Sequence, residues 1–117
     1  MPPHAPLRHV GENSKSSVFS DVDLGQSTFT DVNLGAASFD DVNLTASSFS
    51  NVVLTGATFT NATMPGAVFD NVDLSKVRIT NANLSNVSIE DANIEGLSIN
   101  GVLVADLFRA FRDQTGP

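Results

Sequence analysis

The sequence predicts an all-β solenoid that ends in a short α-helix, and three observations predict it. One large apolar residue stands at every fifth position from 19 to 104, a smaller residue stands two positions before each, and Val104, Leu107, Phe108 and Phe111 fall at helical spacing. The large residues form two interleaved rows. Phe19, Phe29, Phe39, Phe49, Phe59 and Phe69 lead into Ile79, Ile89 and Ile99; Leu24, Leu34, Leu44, Leu54, Met64, Leu74, Leu84, Ile94 and Val104 lie halfway between. That makes eighteen repeats in a chain of 117 residues.

A five-residue period fits neither ordinary element. Strand side chains alternate faces, so residues five apart point to opposite sides. On an α-helix five residues turn through about 500°, which scatters the apolar positions around the cylinder. Residues two apart do share a face of extended chain. The pattern therefore implies a short extended piece followed by a turn in every repeat, with each large residue and its smaller partner aimed at a common axis.

The core residues compensate one another in size. Where the large residue is Phe, its partner is Ser17, Ser27, Ala37, Ser47, Ala57 or Ala67. Where it shrinks to Ile79, Ile89 or Ile99, the partner grows to Val77, Val87 or Leu97, while Ala82 and Ala92 replace Val in the leucine-type repeats. Misjudging one core side chain costs about 1–5 kcal/mol. A packed tube requires this constancy of volume, whereas amphipathic surface strands do not.

Three segments follow in order. Residues 1–16 form a Pro-rich, then polar lead-in with Leu7 and Val10 as apolar anchors, expected to be loosely packed and to cover part of the first coil. Residues 17–104 are the repeat region. Residues 105–117 are the remainder of the helix and the tail, with Arg109 and Arg112 suiting the C-terminal dipole and Gly116-Pro117 as the stop. A solenoid end exposes apolar core and unpaired strand edge, so the helix is expected to be a cap, a dimer contact, or both. Leu103, Leu107, Phe108 and Phe111 are the candidate contact residues.

The runs DVDLG, DVNLG, DVNLT, NVDLS, NANLS and DANIE resemble the pentapeptide repeat, written A(D/N)LXX with Leu or Phe at its centre. The resemblance covers residues 17–104 and implies a right-handed quadrilateral β-helix with four pentapeptides per coil, here a little over four coils. Residues twenty apart then stack: Phe19, Phe39 and Phe59 in one column, Phe29, Phe49 and Phe69 in another, with the leucine columns on the faces between. Met64-Pro65, Val53 and Leu103 depart from the pattern. The tail GLSINGVLVADLFRAFRD also resembles the C-terminal segment of free-standing bacterial members, which points to the bacterial cytoplasm.

Composition bounds the function. The chain is 41% hydrophobic and 16% charged, with no Cys, Trp or Tyr, so disulfide and thiol chemistry are excluded. No apolar run approaches the twenty residues of a membrane span, and the first residues lack the regions of a signal peptide; no membrane association is expected. His4 and His9 lie in the lead-in without partners implied by spacing and are expected to be solvated. The serines have no paired base, and Gly25, Gly35, Gly56 and Gly66 are isolated turn residues, unlike a phosphate loop. No enzyme activity, metal or cofactor is expected.

The repeat region carries ten acidic residues against Lys76 and Arg78. The columns 21/41/61/81 (Asp, Asp, Asn, Asn) and 31/51/71/91 (Asp, Asn, Asn, Asp) are expected at corners, where Asx side chains bond turn backbone. This charge argues against nucleic-acid binding, which needs Lys and Arg at the phosphates. The expected function is a rigid scaffold or protein-interaction module with an unknown protein partner, and a homodimer through the C-terminal end. The alternative comes from resemblance: some pentapeptide-repeat proteins protect DNA gyrase from fluoroquinolones by imitating duplex DNA. The expected tower, roughly 20 Å tall at ~4.8 Å per rung, spans about six base pairs.

Overall fold

Each five-residue repeat solves the same local problem: expose its polar groups at a corner and bury two side chains on a side. The computed structural model describes residues 8–11 and 13–115. In it the chain winds as a quadrilateral β-helix. Two opposite sides are parallel sheets and the other two are narrower ladders of single bridges and backbone hydrogen bonds.

The first sheet contains β1 (Arg8–Val10), β3 (Thr28–Thr30), β5 (Ser48–Val53), β7 (Val68–Asp73) and β9 (Ser88–Glu90), in that spatial order. The second contains β2 (Val18–Asp23), β4 (Ser38–Asn43), β6 (Thr58–Thr60), β8 (Arg78–Thr80), β10 (Ser98–Ile99) and, at its edge, β11 (Val102–Leu103). Every parallel pair is in a register of twenty, as the stacking of rungs requires: Phe19 lies opposite Phe39, Phe39 opposite Phe59, Phe59 opposite Ile79, and Phe29 opposite Phe49. The leucine sides are tied by bonds such as Leu24 N–H to the Asn43 carbonyl (2.7 Å) and Leu44 N–H to the Thr63 carbonyl (2.6 Å).

Every corner carries a residue in the left-handed region. After the Phe-type sides it is always Asx: Asp21, Asp31, Asp41, Asn51, Asn61, Asn71, Asn81 and Asp91, with φ between 51° and 57°. Asn and Asp tolerate this conformation better than other side chains. After the leucine sides a four-residue turn closes on itself, as in Ser27 N–H to the Leu24 carbonyl at 3.1 Å, with the positive φ at its third residue. That is the type II pattern. It explains the departure at Met64-Pro65: Pro65 takes the second position of the turn, where its fixed φ is wanted, and Gly66 (φ 74°) takes the third.

The core is the stack of centres and their partners. Phe29, Phe39, Phe49, Phe59, Leu24, Leu34, Leu44, Leu54, Phe69 and Leu74 are buried; Phe19 and Leu84, nearer the two ends, are partly so. The phenyl rings stack face to face, 4.5–4.7 Å between centroids and 4–8° between planes. The rung spacing sets that distance. The exchange of Phe for Ile is matched as expected, with Val77, Ile79 and Leu97 all buried.

Both ends of the repeat region differ from the sequence expectation. The ladder reaches back beyond residue 17, since β1 pairs with β3 and Ser14 N–H donates to the Asn33 carbonyl at 2.7 Å. Polar residues at the centre positions, His9 and Ser14, hide this coil from an apolar-period reading. The rest of the lead-in, residues 1–7 and 12, lies outside the described residues, as do the side chain of His9 and all of His4, Gly116 and Pro117. At the other end the parallel ladder stops at Ile99. Asn100 (φ 49°) and Gly101 (φ 80°) make a two-residue turn, and β11 runs back antiparallel to β10, Ile99 opposite Val102. Asn-Gly with both φ positive is the favoured hairpin turn. The eighteenth apolar position, Val104, therefore begins a helix instead of a coil side.

Two changes test the packing. Phe49 is 0% exposed and stacks on both Phe29 and Phe69; Phe49→Ala is expected to lower stability by about 3–5 kcal/mol, measured by chemical denaturation, and a loss under about 1 kcal/mol would contradict the stacked column. Ser47 is also 0% exposed, and its Oγ has no hydrogen-bond partner in the structure. Ser47→Ala removes a desolvated hydroxyl and is expected to stabilise by about 1 kcal/mol; a lower melting temperature would show that the hydroxyl is satisfied.

Candidate interaction surface

Two surfaces stand out: the polar ladders along the leucine sides and the C-terminal end. On the ladders, the residue before each leucine centre accepts a hydrogen bond from the backbone two positions on. Asp23 Oδ1 takes the Gly25 N–H at 3.0 Å, Asn33 the Gly35 N–H at 2.9 Å, Asn43 the Thr45 N–H at 3.0 Å and Asp73 the Ser75 N–H at 2.9 Å. This Asx turn is the physical reason for the D/N in the repeat. The expected placing of these bonds is therefore corrected: they come from the residue before the centre, while the corner columns contribute their positive φ and a side-chain contact between Asn71 and Asn51. Val53 replaces such an Asx and cannot cap Thr55.

Rungs are also linked from side chain to side chain. Asn43 Nδ2 donates to Asp23 Oδ1 at 3.0 Å, and Ser75 Oγ lies 3.2 Å from Thr55 Oγ1. The Ser75 hydroxyl, 2.6 Å from Asp73, together with the Ser75 backbone N–H, holds the Asp73 carboxyl below the usual carboxylate range. Most of the other carboxylates of the repeat region are exposed. Among the described residues no group of three or more His, Asp or Glu is placed to hold a metal ion.

The C-terminal end is built differently. Helix α1 (Val104–Thr115) starts from the β10–β11 hairpin, and its first residue rests on the core, Val104 N–H donating to the Leu97 carbonyl at 3.0 Å. The expected cap over the final rung is not formed by the rest of the helix. Leu107 is 52% exposed, Phe108 52% and Phe111 63%, and beside them Leu103 is 44% exposed and Ile89 41%. The hairpin explains this, because β11 covers the edge of one sheet and launches the helix from that side. No described strand pairs with the outer edge of β9.

What remains is an apolar mouth of about 270 Å³ opening into the core, lined by Ile79, Leu84, Val87, Ile89, Ile94, Leu97, Ile99 and Val104, with Phe108 at its rim and Asp91 as its charged member. The four contact residues expected from sequence thus lie at one end of the molecule, three of them along one helix. The sequence did not reveal the mouth. Its signal was the Asn100-Gly101 dipeptide, which ends the coil early. No helix of the described residues is long and apolar enough to cross a membrane.

With that geometry in view, the comparisons are specific. The model of the pentapeptide repeat region matches residues 22–99. The chain belongs to the pentapeptide-repeat family. A search of curated proteins gives no match. Among solved structures it is similar to the pentapeptide-repeat protein Rfr23 of the cyanobacterium Cyanothece 51142, with 17% identity and a TM-score of 0.57 over 83% of this chain and 84% of that one. It is similar also to a pentapeptide-repeat protein of the Arabidopsis thaliana thylakoid lumen, with 27% identity and a TM-score of 0.51 over 91% and 77%. QnrB1, a plasmid-mediated fluoroquinolone resistance protein, overlaps more loosely, at 10% identity and a TM-score of 0.35 over 91% and 96%. These likenesses concern the fold.

The Asp73 site generates a pH test. Its pKa is depressed in the folded state, so its contribution is complete above the unfolded carboxylate value near 3.9 and disappears as pH falls through the lower folded value. Asp73→Asn keeps the Oδ1 acceptor, as at Asn33 and Asn43, and removes the charge. Wild type is expected to melt higher than Asp73→Asn at pH 7, with the gap closing between about pH 4 and pH 2; a gap that widens on acidification would refute the assignment.

Proposed function

We propose that this chain is a non-enzymatic, rigid interaction module of the bacterial cytoplasm that presents its C-terminal end to a protein. The observation that carries the reading is the apolar mouth with the half-exposed Leu103, Leu107, Phe108 and Phe111 beside it. Contiguous apolar surface of this kind marks a contact site on a soluble domain. The fold suits the role, since the twenty-residue register and stacked rings fix the end in space, and a preorganised surface loses little freedom on binding. Native co-purification with wild type and with Phe108→Glu as baits tests it. A partner held by wild type and lost from the variant is expected; equal capture by both would move the site off this end.

A second reading, as a DNA mimic directed at DNA gyrase, is favoured by one observation: the acidic residues of the repeat region stand on regular columns, with Asp21 and Asp41 one rung apart. A single tower spans about six base pairs, so this role asks for a longer assembly. DNA supercoiling by gyrase with the protein added discriminates the two. Loss of supercoiling at stoichiometric protein supports mimicry, and no effect at a large excess removes it.

A further inference from the structure

We infer that the C-terminal end is a self-association surface, and that its occupant is the same end of a second copy of this chain, paired about a twofold axis. The inference rests on reading that end as a contact surface and names what covers it. Three observations lead there.

The first is shape. The end offers a concave apolar mouth of about 270 Å³ and, beside it, a convex helix ridge of Leu107, Phe108 and Phe111. A surface holding both a hollow and a ridge is self-complementary under a twofold, because each copy's ridge reaches the other's hollow. The second is charge. The repeat region carries ten acidic residues against two basic ones, whereas residues 96–115 carry two of each, Asp106 and Asp113 against Arg109 and Arg112. Asp106 and Arg109 already pair with each other at 3.0 Å. Two acidic towers repel side by side, while their neutral ends meet without that repulsion and leave the flanks far apart.

The third is area. Ile89, Val102, Leu103, Leu107, Phe108 and Phe111 are each 41–63% exposed. Together they leave on the order of 500 Å² of apolar surface in water, at the upper end of what monomers show. With a polar rim this approaches the roughly 800 Å² per partner of a specific interface. The unpaired outer edge of β9 lies on the same end and adds backbone donors and acceptors to that rim.

Sedimentation velocity of the full chain from about 5 to 100 µM, in about 50 mM and 500 mM salt, tests the inference. A dimer at both salt concentrations is expected, with dissociation weakened at least tenfold by Phe108→Glu and by Phe111→Glu. Phe111 is 63% exposed, so its variant is expected to melt with wild type, and circular dichroism checks this. A monomer throughout the range, a dimer that forms only at high salt, or a dimer unchanged in folded Phe111→Glu would each overturn the inference. A wild-type monomer that still captures a partner through Phe108 would sink self-pairing and leave the interaction reading intact.

Discussion

Everything in this molecule depends on turning the backbone through a left-handed residue every five positions. A non-glycine residue at positive φ costs roughly 1–2 kcal/mol, and the chain accepts this at corner after corner. Each corner returns two buried side chains to the axis and sends the next extended piece along a new side. The choice of corner residue follows the local surroundings. Asx occupies the open corners after the Phe-type sides; the tighter turns after the leucine sides use a closing hydrogen bond and admit Ala36, Ala46 or Lys76 as well as glycine. The Asx before each leucine centre then ties the turn it precedes. Corner, cap and core are one repeating unit, and the consensus of the repeat is the record of these three demands.

The fold was largely legible because its contacts repeat. A period of five, a partner two residues back and a trade of size between Phe and Ile all report on one narrow cross-section, and the columns at 24, 29, 34 and 39 are buried as the period implies. Legibility failed where the same spacing continued for a different reason. Val102 and Val104 keep the apolar rhythm, yet they belong to a hairpin strand and a helix start, because Asn100-Gly101 had already reversed the chain. It failed also where a coil lacks apolar centres, as at His9 and Ser14. The contact residues were legible as an apolar helix stripe. Their openness was not, since amphipathicity says that a face avoids water and leaves unsaid what it meets.

Function in such a molecule resides in what the tower holds still. The sides are short polar ladders whose groups largely satisfy one another, as Asn43 does Asp23 and Ser75 does Asp73. The C-terminal end breaks the repeat, and it is where apolar surface remains uncovered. A regular solenoid with one irregular end separates two tasks: the repeats set distance and orientation, and the end makes the contact.

The phenylalanine columns have a consequence for how the chain finds its register. A slip of ten residues would lay Phe on Phe and Leu on Leu, merely exchanging the two sheets, so the apolar period alone tolerates misalignment. The gradient from Phe to Ile beyond residue 69, with its matched growth to Val77, Val87 and Leu97, makes the rungs unequal and breaks that degeneracy. Pro65, seated in a single turn, marks a second fixed point. The imperfections of the repeat are thus its index marks: a perfectly regular version of this chain would bury the same surface and have several ways of doing so.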